Sequence, residues 1–285
     1  MAWSPGLAES DPILRPFLPA TGSPLHYALL YQPAESRARL RVVEVLRATL
    51  CSLPFTSSNA DIAHARLSWW YEHLSMPGDT GQAPGHPLLR ALQPGFAEDP
   101  ALRPAFVSLV EGIARLQAHG RFANATERAA AWHSTHASVW HAHARICGFD
   151  DASTLEAVGR IGTAIALGET LIDLRRAVRG ELAFICRDRE PELPTTGAEA
   201  SDALWYAALA RRELPELTAS IVDTLRALPA PRRARRRLRA LRVMAALTLD
   251  TLAELAAEQG RVWEMRVELT PLRRLWRAWR VRVEA

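Results

Sequence analysis

The stretch Ile161–Ile185 reads IGTAIALGETLIDLRRAVRGELAFI, and its apolar residues recur at intervals of three and four. This period predicts an amphipathic helix. Within it, Glu169 and Asp173 are one helical turn apart, so both carboxylates project from one face. Carboxylate oxygens at this spacing can share a Mg²⁺ ion. One further turn along, Ala177 carries a methyl group, and the acidic face therefore ends at Asp173.

The helical period recurs along most of the chain, whereas alternating runs and hairpin turns typical of β-strands do not occur in the sequence. The predicted helices are Leu40–Leu50, Ile62–Leu74, Phe106–Leu116, Ala129–Ile146, Thr154–Val178, Ala203–Leu209, Leu214–Leu228 and Leu238–Leu255. The predicted breaks, rich in proline or glycine, are Met76–Pro87, Gln93–Pro104, Asp188–Ala200 and Pro229–Pro231. No linker is long enough to separate two domains. We therefore predict an all-α, single-domain protein.

Composition and terminal sequence favour a cytoplasmic protein. The chain has 285 residues, is 48% hydrophobic and carries a formal net charge of +4. Cys51, Cys147 and Cys186 are far apart and form no CxxC pair, which suits a reducing compartment. The first residues, MAWSPGLAESDP, lack the basic start and apolar run of a signal peptide. No window reaches the ~18 apolar residues of a spanning helix, so we expect at most peripheral contact with the inner membrane.

A second motif is the segment Arg66–Leu74, RLSWWYEHL, which is followed by Gly85-His86-Pro87 and Ala91-Leu92. This order resembles the RL-x-WW…HP…AL run of the squalene/phytoene synthase family. The residues that carry the motif on the predicted helix are Arg66, Trp69 and Trp70.

The resemblance extends over roughly residues 25–282. Ile161–Ile185, with Gly162, Gly168 and Asp173 in register, is similar to the same family, and so is Leu269–Arg280. The resemblance implies an isoprenoid-synthase helical bundle around a central apolar cavity, formed by residues 25–285 after an extension of residues 1–24. Members of that family bind prenyl diphosphates through Mg²⁺ held by two Asp-rich motifs on facing helices. The metal assists departure of the diphosphate and leaves an allylic cation in the cavity.

This sequence departs from both Asp-rich motifs. The first would fall near Arg47–Ser57, RATLCSLPFTS, which contains no acidic residue, although Glu44 and Asp61 bracket it. The second is half present. The candidate diphosphate or metal face consists of Glu169, Asp173 and Arg176, with Glu169 and Asp173 as ligands if Mg²⁺ binds. Alternatively, Asp173 pairs with Arg176 on a solvated helix face.

Two functions follow from these departures. The sequence resembles one branch of the family, in which the Asp-rich motifs are eroded, more closely than it resembles the true synthases. That branch includes the mitochondrial complex I assembly factor of this type. That resemblance implies a protein that does not catalyse, or catalyses poorly, and that binds an isoprenoid or lipid or assists assembly of a protein complex. The alternative is an active Mg²⁺-dependent prenyltransferase that condenses prenyl diphosphates, which needs carboxylates from two helices at one cavity.

A histidine cluster lies on the predicted helix Ala129–Ile146. Of His133, His136, His141 and His143, the pair His136 and His143 shares a face with Cys147. Because His136 and His143 are two turns, ~10.5 Å, apart, one metal ion would be held at most by His143 and Cys147 with help from elsewhere. The alternative is a set of cavity-lining or surface histidines.

Arginine-rich segments mark two further surfaces. Arg232–Arg242 leads into an apolar helix, and Arg273–Arg282 surrounds Trp276 and Trp279. Such segments either contact a membrane surface or pair with acidic neighbours, and the tryptophans either lie at that interface or close the bundle. No recognition motif for nucleic acid is present, so we expect no nucleic-acid partner.

Overall fold

The computed structural model describes residues 19–55, 60–76, 86–191 and 198–284. Within these ranges the chain forms twelve α-helices, numbered here in chain order. They are α1 (Pro24–Leu30), α2 (Ala34–Ser52), α3 (Ala60–Ser75), α4 (Pro87–Glu98), α5 (Leu102–His119), α6 (Ala125–Ile146), α7 (Ala152–Ile172), α8 (Leu174–Arg179), α9 (Ala198–Ala227), α10 (Arg232–Arg237), α11 (Arg239–Ala257) and α12 (Pro271–Glu284). In the described part, extended pairing is limited to one isolated bridge between Phe122 and Cys186. The all-α prediction is confirmed.

The predicted helix Thr154–Val178 is interrupted, contrary to expectation. Asp173 ends α7 and precedes α8, with φ −103° and ψ 29°, outside helical geometry. Its backbone N–H still donates to the carbonyl of Glu169 at 3.0 Å. Because the chain turns at Asp173, Ala177 does not continue the face of α7, and it is 1% exposed.

Two predicted interruptions of the helices were wrong. The break predicted over Gln93–Pro104 begins too early, because α4 continues through Pro94 to Glu98. The predicted helices Ala203–Leu209 and Leu214–Leu228 are joined through residues 210–213 into the single helix α9, which also contains Pro215. An internal proline removes one backbone hydrogen bond. In α4 that loss is offset by burial of the apolar face that contains Leu88, Leu89, Leu92 and Phe96.

Asp151 caps the N-terminus of α7. Its side chain accepts a hydrogen bond from the Thr154 N–H at 2.8 Å. This hydrogen bond satisfies a backbone donor that the helix itself leaves unpaired.

Helix α6 is the central element of the bundle. Gly162 on α7 allows a close approach, since a Cβ at this position would lie 2.1 Å from Cγ of Trp140. On another side, Arg128 Nη2 lies 2.6 Å from Glu213 Oε2 of α9, and both side chains are at most 1% exposed. Trp132 Nε1 donates to the Ala183 carbonyl at 3.2 Å. These contacts fix the height and rotation of α6.

The predicted boundary between residues 1–24 and residues 25–285 stays a prediction, because residues 1–18 lie outside the described ranges. Helix α1 begins at Pro24 and packs on α11 and α12. Among the described helices, none combines the length and the apolar character needed to cross a membrane.

Candidate ligand-binding cavity

The helices enclose a cavity of about 940 Å³. Its walls come from α2, α5, α6, α7 and α11, together with residues 19–25 and 266–274. The apolar part of the wall includes Val45, Ile113, Leu116, Trp132, Met244 and Leu247. A largely apolar cavity of this volume suits a ligand with a long hydrocarbon chain.

The structure places all three residues of the predicted diphosphate or metal face on this cavity. Glu169 lies deep in the protein, yet its side chain is exposed because it opens into the cavity. Burial raises the pKa of Glu169, and the nearby Arg47 opposes that rise. Asp173 Oδ2 lies 3.4 Å from Arg176 Nη1, and the Arg176 guanidinium lies 5.2 Å from the Phe55 ring centroid. The predicted Asp173–Arg176 ion pair is therefore present.

A cationic residue that the sequence analysis did not identify stands on the wall formed by α2. Arg47 lines the cavity, and its Nε donates to Glu44 Oε2 at 2.7 Å. Its guanidinium lies 4.8 Å from the Trp140 ring centroid. Burial would lower the pKa of Arg47, but Glu44 and Glu169 outweigh this effect and raise it. Arg47 is therefore a permanent positive charge beside Glu169.

Glu44 is the buried counter-ion of Arg47. It is 0% exposed, and its Oε1 lies 2.8 Å from His143 Nδ1. Burial alone would raise the pKa of Glu44, but Arg47 and His143 lower it to about 2. Burial alone would lower the pKa of His143, but the neighbouring Cys147 and Glu44 raise it to about 9. These groups form a charged network inside the protein that stands behind the cavity wall.

The alternative of an active enzyme needed a carboxylate from Glu44 or Asp61 to face Glu169 and Asp173. Neither Glu44 nor Asp61 lines the cavity. Asp61 lies in the first turn of α3 and is exposed on the surface. At the place where the family resemblance would put the first Asp-rich motif, the cavity wall presents Arg47 and Cys51.

These side chains do not fit the Mg²⁺ site that the resemblance implies. Mg²⁺ requires nearly octahedral oxygen coordination. Glu169 and Asp173 offer two carboxylates, but Asp173 is paired with Arg176 and Glu169 lies beside Arg47. Across the described ranges, no three His, Cys, Asp or Glu side chains are grouped so that they could hold a metal ion.

Of the predicted histidine cluster, His136 reaches the cavity. It is 4% exposed, lines the wall, and its ring lies parallel to that of Trp132 with a centroid separation of 5.2 Å. Burial and the nearby Arg47 lower the pKa of His136 to about 3, so the imidazole is neutral at physiological pH. Within the described chain its Nδ1 has no hydrogen-bond partner.

The other members of the cluster do not join it. His143 is bound to Glu44, and Cys147 is buried and does not line the cavity. The side chains of His133 and His141 lie along the packing surface between α6 and α7, where His133 contacts Thr163 and His141 lies against Gly159. The interpretation as a cavity-lining histidine is correct for His136.

The tryptophan pair on α3 lies away from the cavity. Trp70 is 5% exposed, and its ring centroid is 4.6 Å from that of His86, the residue that caps α4. Trp69 stacks on His73 at 3.9 Å, and Arg66 is exposed. In this structure the family motif connects α3 to the start of α4.

Helix α12 exposes a continuous apolar stripe. The stripe consists of Leu272, Leu275, Trp276, Trp279 and Val283, which are 38% to 76% exposed. Their spacing of three and four residues places them on one face of the helix. The opposite face buries Ala278 and Val281. Pro271, which lines the cavity, immediately precedes the stripe, so the stripe begins at the cavity rim.

The arginines of the segment Arg232–Arg242 fall into two groups, those that bind backbone carbonyls and those that are exposed. Arg237, Arg239 and Arg242 donate to backbone carbonyls of Gly148, Tyr31 and Pro229. Arg232, Arg233 and Arg236 on α10 are exposed, and none forms an ion pair with an acidic residue of the described chain. Arg235 Nη1 donates to the Glu284 carbonyl at 2.9 Å, which places α10 beside the end of α12.

Comparisons with known proteins agree with this architecture. The family model of squalene/phytoene synthases matches residues 18–280. A crystal structure of a dehydrosqualene synthase in complex with ligand is similar with a TM-score of 0.65 and 16% identity, covering 91% of this chain and 90% of that one. Squalene synthase HpnC from Alicyclobacillus acidocaldarius is similar with a TM-score of 0.60 and 19% identity, covering 82% and 88%. At these identities the two structures share the fold. No curated protein matches the sequence.

Proposed function

The chain belongs to the squalene/phytoene synthase family, and from that premise we propose that it binds an isoprenoid chain in its cavity without condensing prenyl diphosphates. The observation that carries the proposal is Arg47, which lines the wall where the condensation chemistry needs a second group of carboxylates. A guanidinium at that position repels a divalent cation. The apolar part of the wall, from Val45 to Leu247, supports binding of a hydrocarbon chain.

The charges around the cavity argue against ionisation of a diphosphate. Departure of that group needs several positive charges that neutralise it in the transition state. The cavity lining carries four arginines, Arg47, Arg176, Arg266 and Arg274, and three carboxylates, Glu169, Asp173 and Glu268. Arg176 is paired with Asp173, and Arg266 and Arg274 are paired with Glu268. The net positive charge available to a leaving diphosphate is therefore small, whereas a hydrocarbon chain requires none.

Filling the cavity tests the proposal. Ala48 is exposed toward the cavity from α2, so Ala48→Phe places a ring in the space that the ligand would occupy. We expect this variant to weaken binding of farnesol by about tenfold or more, since several buried methylene contacts are lost. Isothermal titration calorimetry of the purified protein measures the effect. The matched control is Ala118→Phe, at an exposed position of α5 away from the cavity.

The effect of Mg²⁺ on ligand binding and on product formation distinguishes the proposed binding protein from an active prenyltransferase. We expect wild type and Asp173→Ala to bind farnesol equally with and without Mg²⁺, and farnesyl diphosphate with Mg²⁺ to yield no condensation product. Mg²⁺-dependent binding of the diphosphate that Asp173→Ala abolishes, together with product, would establish the prenyltransferase instead. Absence of any isoprenoid binding would contradict the proposal and favour the assembly role, which needs no ligand.

We also propose that the apolar stripe of α12 rests on an anionic membrane surface. Two stacked tryptophans, Trp276 and Trp279, with ring centroids 5.0 Å apart, provide the amphipathic side chains typical of such interfaces. Arg273 and Arg277 pair with Glu254 and Asp250 on α11, so the basic charge offered to lipid comes from the exposed arginines of α10. Because the stripe starts at the cavity rim, this orientation would let an isoprenoid pass directly between bilayer and cavity.

Removing the tryptophans should detach the protein from vesicles. For Trp276→Ser/Trp279→Ser we expect partitioning onto phosphatidylcholine vesicles with 30% phosphatidylglycerol to fall by about tenfold or more, because the interfacial aromatic area is lost. Co-sedimentation measures it, and added salt should weaken wild-type binding. Leu204→Ser, at a 61% exposed leucine on α9, is the control. Equal binding to vesicles without phosphatidylglycerol would contradict the role of the arginines.

A further inference from the structure

Three polar side chains from three helices line the same cavity. Arg47 comes from α2, His136 from α6 and Glu169 from α7. The positive charge of Arg47 acts on both others, because it lowers the pKa of His136 and opposes the rise in the pKa of Glu169. His136 is 4% exposed, and its Nδ1 has no hydrogen-bond partner within the described chain. A buried polar atom without a partner is costly unless a ligand or water satisfies it.

Five hydroxyl groups on the helical part of the same wall already have a hydrogen-bond partner. Each donates to a carbonyl of its own helix at 2.7 to 3.0 Å, which makes the surface around them effectively apolar. They belong to Thr49, Ser52, Thr170, Thr248 and Thr251. Apart from the ion-paired residues Asp173, Arg176, Arg266, Glu268 and Arg274, the cavity combines an apolar surface with a polar site at Arg47, His136 and Glu169.

The hydrogen-bonding capacity of this polar site suits an uncharged oxygen. Arg47 is a donor, and a neutral imidazole offers one donor nitrogen and one acceptor nitrogen. A hydroxyl group can accept from Arg47 and donate to His136 at the same time. A diphosphate has no proton to donate at neutral pH, and it would also place its negative charges beside Glu169 and Asp173.

We propose that Arg47, His136 and Glu169 form the binding site for the hydroxyl group of a prenyl alcohol whose chain occupies the apolar cavity. This inference rests on the proposed function and adds the head group to it. The hydroxyl oxygen accepts a hydrogen bond from the Arg47 guanidinium, and its proton is donated to His136 or to Glu169. The rest of the ligand is a hydrocarbon chain that contacts the apolar wall and needs no hydrogen-bond partner.

Removal of the imidazole nitrogens tests the head-group site. His136→Phe keeps a ring that can stack on Trp132 and deletes both nitrogens. We expect its affinity for farnesol to fall by about tenfold, the effect of one lost hydrogen bond that is not replaced. Its affinity for 2,6,10-trimethyldodeca-2,6,10-triene, the hydrocarbon that lacks only the hydroxyl group, should stay unchanged, which also shows that the variant folds. The matched control is His133→Phe on the same helix, outside the cavity.

Comparison of head groups on the wild type completes the test. We expect farnesol to bind about tenfold more tightly than the hydrocarbon and more tightly than farnesyl diphosphate, whether or not Mg²⁺ is present. Tighter binding of the diphosphate, or an unchanged farnesol affinity in His136→Phe, would overturn the head-group site and leave the isoprenoid cavity standing. Failure of farnesol, hydrocarbon and diphosphate alike to bind would overturn the proposed function itself.

Discussion

Replacement of Glu44 by alanine is expected to lower the free energy of unfolding by about 3–5 kcal/mol, because it leaves buried positive charge without its counter-ion. Glu44 is 0% exposed and contacts Arg47 at 2.7 Å and His143 at 2.8 Å. His143 can lose its proton in the variant, whereas Arg47 stays charged. Since small domains are stable by about 5–15 kcal/mol, this loss should be evident in denaturant unfolding at neutral pH.

The pH dependence of that loss identifies the network. The pKa of Glu44 falls from 4.5 to about 2 on folding, so its contribution is complete above pH 4.5 and is lost as the pH falls toward 2. The pKa of His143 rises from 6.5 to about 9, so its contribution is complete below pH 6.5 and is lost as the pH rises through 9. We expect the stability difference between wild type and Glu44→Ala to be largest between pH 4.5 and 6.5.

Two further variants make the measurement specific. Glu44→Gln keeps the size of the side chain and removes its charge. The free energy of unfolding of this variant should therefore depend less on pH than that of the wild type, as we expect for Glu44→Ala. Glu72→Gln on α3, an exposed glutamate, should change the free energy of unfolding by no more than about 0.5 kcal/mol. A difference between wild type and Glu44→Ala that is constant from pH 3 to pH 10 would show that Glu44 acts by packing alone.

The helical fold was accessible from sequence because its signal is local. Apolar spacing predicted α5, α6 and α11, with ends that differ from the structure by a few residues. The turn at Asp173 was not predictable in this way, since apolar residues continue on both sides of it. The continuity of α9 across residues 210–213 depends on burial by distant helices, which a local pattern does not contain.

The candidate site was only half predictable, for a different reason. Glu169 and Asp173 were identified because one helical turn brings their carboxylates together. Arg47 was missed because the motif was sought as carboxylates, although Glu44 and Arg47 at i and i+3 already formed a recognisable pair in the sequence. That Arg47 acts on His136 and Glu169 follows from the packing of α2 against α6 and from the cavity that α2 and α7 both line, which bring together residues about a hundred positions apart.

The other large effect is expected at the ion pair between α6 and α9. Glu213→Ala should lower the free energy of unfolding by about 3–5 kcal/mol, because Arg128 is 1% exposed and would be left without a counter-ion. Arg128 Nη1 also donates to the Phe184 carbonyl at 3.2 Å, and its guanidinium lies 4.7 Å from the Phe184 ring centroid. Loss of the pair should therefore loosen the segment that follows α8. Denaturant unfolding at neutral pH measures it.

The matched double variant Arg128→Met/Glu213→Leu decides why the pair matters. If the cost of Glu213→Ala comes from an uncompensated buried charge, replacing both partners by apolar side chains should recover most of the lost stability. Trp132 lies one turn beyond Arg128 on α6 and forms part of the cavity wall, so farnesol affinity in the double variant reports whether the cavity keeps its shape. Recovered stability together with wild-type farnesol affinity would show that the Arg128–Glu213 ion pair is not needed for the shape of the cavity. Recovered stability with weakened affinity would mean that the charged contact positions α6, and with it the wall that carries His136.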